Sequence, residues 1–352
     1  MKKFFKIKTI VLIILILFSI IITALYLNPD RYKINSPMMD LEYKKSIIKT
    51  SLNPFYKLEN LRPLMGEEEL GEVIKKNNSN ALIYTPSSEN RKSGRFRANL
   101  HNHTTNSDGQ MTVTELLDKA QAYAQSYIKD DYMVIGITDH NTVLGAKEII
   151  KVLEKYPNRY PNLKIVAGIE IFSAYKNSKY SPAEDVQIHV LSWCINPYDR
   201  YLNKEFYKRD KKDKYNRGKE DRDFDTLIHT MSKYSLVGIA HPARYLTDIK
   251  EEDRILYIEE MLDRYLKQTT KIPFIEGYYQ SYSDDGIKKF EGLEDLSYEL
   301  YKIISEHQEL KGKIYGKRFE IFLKNINNIA DKKGIIKTGS TDSHGLSIFR
   351  AR

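Results

Sequence analysis

From Arg95 onward, short apolar runs alternate with helical stretches, and this alternation limits the fold more than any other feature. The runs are RANLH (97–101), YMVIGIT (132–138), KIVAGIE (164–170), VQIHVLSW (186–193), SLVGIA (235–240), PFIEGYY (273–279) and GIIKTGS (334–340). Each has the length of a strand, and most are rich in branched residues. Amphipathic stretches lie between them. TVTELLDKAQAYAQSYIKD opens with Thr112 and Glu115 at capping-box spacing and lines up Leu116, Ala120, Tyr123, Ala124 and Tyr127 on one face. AKEIIKVLEKY, EEDRILYIEEMLDRYLKQ, LSYELYKIISEH and KRFEIFLKNINNIADKK have the same character. Alternation of this kind predicts an α/β fold, a parallel sheet with helices packed outside it. Seven repeats with buried strands predict a closed or nearly closed barrel, over residues 96–352.

The N-terminal part is of another kind. Residues 1–8 carry Lys2, Lys3, Lys6 and Lys8, and 9–27 hold no charge, proline or glycine. As a helix that run would span about 28 Å, near the thickness of a bilayer's hydrocarbon core. The reading is a cytoplasmic basic tail (1–8) and a single transmembrane anchor (9–27), with the remainder outside the cytoplasm by the positive-inside rule. The alternative is a signal peptide, cleaved and secreted; the long apolar run and the absence of a clear small-x-small site in TALYLNPD favour the anchor. Residues 28–95 read as a juxtamembrane stalk or lead-in, with GEEELGEVIKKNN as a short helix and TPSSENRKSG as a polar loop.

Of the nine net positive charges, four belong to the leading lysines, and the rest are interspersed with acids, which is no nucleic-acid footprint. Cys194 is the one cysteine, so an intrachain disulfide and a cysteine zinc site are excluded; in VLSWC it reads as a small buried hydrophobe. Residues 203–225, NKEFYKRDKKDKYNRGKEDRDFD, carry both charge signs densely. They read as a solvated insertion or as a lid over a site.

Chemistry in α/β barrels sits at the C-terminal strand ends, and the ionisable residues collect there. His101 ends the first run and His103 follows; Asp139 and His140 follow the second; Glu170 ends the third; His189 lies in the fourth; His241 follows the fifth; Glu276 lies in the sixth; Asp342 and His344 follow the seventh. Residues i and i+2 of extended backbone face one side, so His101 and His103 share a direction, as do Asp342 and His344. Imidazoles and carboxylates in this number suit two to three divalent metal ions, Zn, Mn or Fe. Bland readings stand beside these: Asp108 as a turn acid in NSDG, His189 as a core histidine, Asp139 and Glu276 as carboxylates that orient metal-bound imidazoles from behind.

NLHNHTTNSDG, GITDHNTV, AGIEI, IHVLSW, IAHPARY and TGSTDSHG together resemble the successive motifs of the PHP (polymerase and histidinol phosphatase) family, over about residues 96–347. The resemblance implies a distorted seven-stranded (β/α)7 barrel, TIM-like, holding up to three metals and hydrolysing phosphate esters. It implies that His101, His103, Glu170 and Asp342 hold one metal, that Glu170 bridges to a second held by His189 and His241, and that Asp108, His140 and His344 hold the third. The SDG form of the first motif is similar to the branch acting on nucleotide bisphosphates or short nucleic acids. Two features depart from the family's pattern: the membrane anchor, and the short LSIFRAR after DSHG, where a barrel-closing helix is expected.

The expected activity is phosphoester hydrolysis by metal-activated water, on a small phosphorylated substrate, at the cell membrane, with no stable protein partner. Arg244 in HPARY is a candidate for phosphate oxygens, against a surface ion pair. Two alternatives remain at this stage: a metal hydrolase of C–N or carboxylic ester bonds, and a non-catalytic surface module that retains metals. A polymerase role is not expected.

Overall fold

The computed structural model describes residues 61, 63–78, 98–128, 132–180, 185–207, 222–242, 246, 249–279, 317–340 and 342–345. In chain order the elements are α1 (Glu67–Asn78), β1 (Ala98–Asn99), α2 (Val113–Tyr127), β2 (Met133–Ile137), α3 (Leu144–Lys155), β3 (Leu163–Lys176), β4 (Asp185–Trp193), α4 (Arg200–Phe206), α5 (Phe224–Met231), β5 (Leu236–Ile239), a 3₁₀ turn (Glu251–Asp253), α6 (Arg254–Gln268), β6 (Phe274–Tyr279), α7 (Lys317–Lys332) and β7 (Ile336–Ser340). The seven strands form one sheet in sequence order. Beyond the strand ends, Asn102 pairs with Ser343, and the His103 N–H donates to the Ser343 carbonyl at 3.0 Å, so the sheet curls into a nearly closed barrel.

The sheet is not all-parallel as expected: β4 runs antiparallel to both β3 and β5. Only residues 177–184 join β3 to β4. That is too short for the crossover of a dozen or more residues that parallel neighbours need. β3 is also longer than the KIVAGIE run, continuing six residues past Glu170 to Lys176 and pairing along β4 as far as Asp185. Glu170 is therefore mid-strand rather than at a strand end.

Alternation along the strands sorts the core. Ile135, Ile165, Ile169, Ile171 and Val190 point outward into a cluster shared with the helices. Val134, Val166, Leu191, Trp193, Phe274 and Ile336 point inward and fill the barrel floor. Val166 and Glu170 lie on the same face of β3, so the floor and the charged residues share one interior, apolar below and polar above. Helix α2 starts at the expected capping box: Thr112 Oγ1 accepts from the Glu115 N–H, and Glu115 Oε2 accepts from the Thr112 N–H at 2.8 Å.

Part of the segment expected as a stalk belongs to this barrel. The Met65 N–H donates to the Ile165 carbonyl, and the Ile165 N–H to the Pro63 carbonyl. Met65 and fully buried Leu70 join the floor cluster, while Glu69 pairs with Lys164 and Glu67 with Lys271. Burying Leu70 contributes about 1.5–3 kcal/mol. Cys194, expected buried, is half-buried beside the same floor cluster. The expected anchor (9–27), the polar loop TPSSENRKSG and the helical stretch LSYELYKIISEH lie outside the described residues. Among the described residues no helix is long and apolar enough to cross a membrane.

Candidate metal centre

All nine residues expected as ligands converge at the polar end of the barrel interior. Glu170 is the hub. Its Oε2 lies 3.1 Å from His101 Nε2, 3.2 Å from His103 Nε2 and 2.9 Å from His140 Nδ1. Its Oε1 lies 2.8 Å from His189 Nδ1 and 3.0 Å from His241 Nε2. His189 reaches this cluster from the middle of antiparallel β4, opposite Phe172. Asp342 Oδ1 stands 3.3 Å from His101 Nε2 and 3.1 Å from His103 Nε2. Asp108 Oδ2 is 3.1 Å from His344 Nε2, and Asp108 Oδ1 is 3.6 Å from His140 Nε2.

The ligand atoms fall into three overlapping groups, each within 4.8 Å: His101, His103, Glu170 and Asp342; His103, Asp108, His140 and His344; and His140, Glu170 and His189. The first matches the set the resemblance implied. The second adds His103 to the implied third set, since that ring turns Nε2 to one group and Nδ1 toward Asp108, 3.8 Å away. In the last group His140 stands where the resemblance implied His241, although His241 touches the same Glu170 oxygen as His189.

The donor set fits divalent cations better than it fits itself. Glu170 Oε2 and Asp108 Oδ1 are buried and accept no hydrogen bond, although imidazole nitrogens surround both. A buried carboxylate oxygen without a partner is costly. His101 Nε2 and His103 Nε2 face each other at 3.0 Å. His101 Nδ1 lies 3.0 Å from Glu276 Oε1, so in the neutral ring the proton belongs on Nδ1 and Nε2 turns its lone pair into the cluster. Converging lone pairs on N and O atoms are what a metal ion requires.

Without a cation the cluster shifts its own protons. Burial pulls His101 down, but Glu170, Glu276 and Asp342 overcome it and hold the ring well above its usual value. His103 is likewise lowered by burial and more than recovered by its hydrogen bond to Asp342 and the nearby Glu170 carboxylate, ending at about 9. Burial raises Asp108, yet His344, His103 and His140 bring it to about 2. Glu170 and Asp342 are held well below the carboxylate range by neighbouring imidazoles, against burial. Burial dominates for His189, which falls to about 3, and lowers His140.

The backbone is bent to make this cluster. Asn141, His241 and Asp342, each a cluster residue or its neighbour, have φ of 49°, 23° and 46°, in a region uncommon for side-chain-bearing residues but one that Asn, Asp and His enter more readily than others. The first-motif loop is tight: a Cβ on Gly109 would sit 2.3 Å from the His103 carbonyl oxygen, so the SDG turn needs its glycine.

Residues 99–336 match the PHP domain. The chain belongs to the PHP family. A solved structure of a two-domain protein containing a predicted PHP-like metal-dependent phosphoesterase, from Bacteroides vulgatus, is similar at 13% identity and a TM-score of 0.35, over 71% of this chain. This chain spans about half of that one, 52%. No curated protein matches the sequence.

Within this PHP barrel the supporting carboxylates divide their work. Glu276 stands behind two of the cluster residues: Oε1 accepts from His101 Nδ1 and Oε2 accepts from the His241 N–H at 2.7 Å. Asp139 does not touch an imidazole ring, contrary to expectation. It accepts from the Thr104 N–H, Thr104 Oγ1 and Ser107 Oγ, each at 2.7 Å, and so clamps the loop that presents Asp108. Gly145 leaves room for the carboxylate in this position: a Cβ there would lie 2.0 Å from Asp139 Oδ2. Arg244 lies outside the described residues.

Three participants were not foreseen: Thr104, Ser107 and Asn141. The first two were visible as the TTNS stretch between His103 and Asp108, hydroxyl-rich and turn-forming. Asn141 was visible as an asparagine directly after DH, a residue type that tolerates positive φ.

Proposed function

We propose that this chain is a metal-dependent phosphoesterase, with nucleotide bisphosphates and short oligonucleotides as the first substrates to test. The observation that carries the reading is the convergence of nine imidazole and carboxylate side chains, Glu170 among them as the hub, with two buried carboxylate oxygens left without hydrogen bonds. Membership of the PHP family supports it.

His101, His103, Glu170 and Asp342 would hold one ion; Glu170 with His140, His189 and His241 a second; Asp108, His140 and His344, with His103 Nδ1 facing them, a third. Bound divalent ions supply Lewis acidity to a phosphoryl group and lower the pKa of water so that it can attack. The protein's own contribution is positional. Glu276 fixes the tautomer and orientation of His101. Asp139 fixes the loop that carries Asp108. Glu170 and Asp342 enter the cluster already ionised, so their negative charge is in place before any ligand arrives. His344, the most exposed member at 32% of its side chain, marks the side open to substrate.

Location belongs to the same proposal: the apolar 9–27 run would hold the barrel outside the cytoplasmic membrane. Fusing a reporter active only in the cytoplasm after Arg352 tests this, and an active reporter would reverse the orientation. Activity is tested by phosphate release from nucleotides, sugar phosphates and short oligonucleotides, beside amide and lactone substrates. Turnover of the amides or lactones with none of the phosphoesters would replace this reading.

A further inference from the structure

Past Ala167, the edge of β3 is no longer paired with β2, and three residues cover it in order. His140 pairs with Glu170, with the Asn141 N–H donating to the Glu170 carbonyl at 2.7 Å. Two residues on, the Phe172 N–H donates to Asn141 Oδ1 at 3.1 Å. Two further on, the Ala174 N–H donates to the Arg222 carbonyl at 2.8 Å. The Arg222 side chain turns back toward the cluster, and its Nη1 donates to that same Asn141 Oδ1 at 3.2 Å. The guanidinium thus lies near the level of Phe172, one two-residue step, about 7 Å, beyond Glu170. Phe172 marks how close this is: its ring stacks on His189 at 4.2 Å and meets the edge of His140 at 4.8 Å.

We propose that Arg222 is a substrate-binding residue that grips an outward-facing oxygen of a phosphoryl group seated at the cluster. This rests on the phosphoesterase reading above. Arg222 is held from two sides: the guanidinium lies over the Phe206 ring, 4.8 Å from its centroid, and its backbone pairs with β3. A planar fork fixed in this way matches phosphate oxygens. Burial, the largest influence, keeps the guanidinium below its usual range, with Glu205 and Tyr201 acting the other way. Three other described cations lie against partners of their own: Arg159 pairs with Asp118, Arg264 with Asp225, and Lys147 sits against Asn203 and the rings of Tyr198 and Tyr207.

The test uses the full, metal-loaded chain with inorganic phosphate as the probe. In Arg222→Met, phosphate should bind about ten- to a hundredfold more weakly, and KM for a phosphomonoester should rise, with metal content and far-UV spectrum unchanged. Arg222→Lys keeps the charge but loses the fork and should fall between. In the wild-type chain, phosphate should also protect Arg222 from an arginine-selective dicarbonyl reagent, read by peptide mass spectrometry, which covers the case in which a variant fails to fold. Unchanged phosphate affinity in a folded Arg222→Met, or labelling of Arg222 indifferent to phosphate, overturns the proposal while leaving phosphoesterase activity standing. A wild-type chain that neither binds phosphate nor releases it overturns both.

Discussion

Glu276→Gln is the sharpest single-residue probe of the site. Both Glu276 oxygens accept: Oε1 from His101 Nδ1 at 3.0 Å, Oε2 from the His241 N–H at 2.7 Å. Glutamine has one acceptor oxygen, so it can serve only one of these donors and turns an NH₂ toward the other. Serving His101 leaves the buried His241 N–H facing a donor, at a cost of about 1–3 kcal/mol. Serving His241 releases His101 to rotate or change tautomer. In either case the negative charge behind His101 is lost. Carboxylates that orient metal-bound imidazoles are typically worth about 10–100-fold in metal affinity, or roughly 1.4–2.7 kcal/mol. The assay is competition for Zn or Mn against a chromophoric chelator, with circular dichroism confirming the fold. A folded Glu276→Gln chain with metal affinity within twofold of wild type would refute the assignment of Glu276 as the residue that orients His101.

Other perturbations follow from the same geometry. Asp139→Asn keeps at most part of the three-donor clamp on Thr104 and Ser107; it should lower stability by about 2 kcal/mol and empty the Asp108 group first, seen as one fewer ion per chain by metal analysis. Unaltered metal content would remove Asp139 from the loop's support. Because His103 stands at about 9 in the metal-free protein, metal binding near neutral pH must displace its proton. His101 is raised as well, so apparent affinity should climb at least about tenfold per pH unit across neutral pH; a flat profile between pH 7 and 8 contradicts this. The same shift has a stability side. His103 is raised above its unfolded value of 6.5, so its contribution to the metal-free fold is complete below 6.5 and is lost as pH rises through about 9. Thermal midpoints of chelated protein at pH 6 and 9.5 should differ in that direction. Leu70→Ala opens the barrel floor and should cost about 2–5 kcal/mol, lowering the midpoint by at least about 4 °C; a smaller change would separate α1 from the barrel's core.

The residues that converge on Glu170 were readable because extended backbone and strand ends leave regular traces: HxH and DxH at i, i+2, and acids or histidines after apolar runs. The direction of β4 was not readable: the runs ending at Glu170 and starting at Val186 leave fifteen residues between them, enough for a parallel crossover, and only the extension of β3 to Lys176 shortens the link to eight. Asp139 was misjudged because its sequence neighbour is a histidine, whereas its bonding partners, Thr104 and Ser107, lie more than thirty positions away. Arg222 sits within a densely charged stretch whose composition suits a solvated surface; only its pairing with Ala174 and Asn141 places it beside the cluster. The floor helix α1 was foreseen as a helix but not as a plug, because Met65 and Leu70 are too few to signal burial without the barrel above them.

The most direct test of the account is a titration of chelated full-length protein with Mn, Zn or Fe while phosphate release is followed from a nucleoside bisphosphate and a panel of simple phosphomonoesters. The account predicts no release from the stripped protein and recovery that saturates at two to three equivalents of metal per chain. Phosphate release that persists without metal, or a fully loaded protein that releases none from any ester, would contradict it.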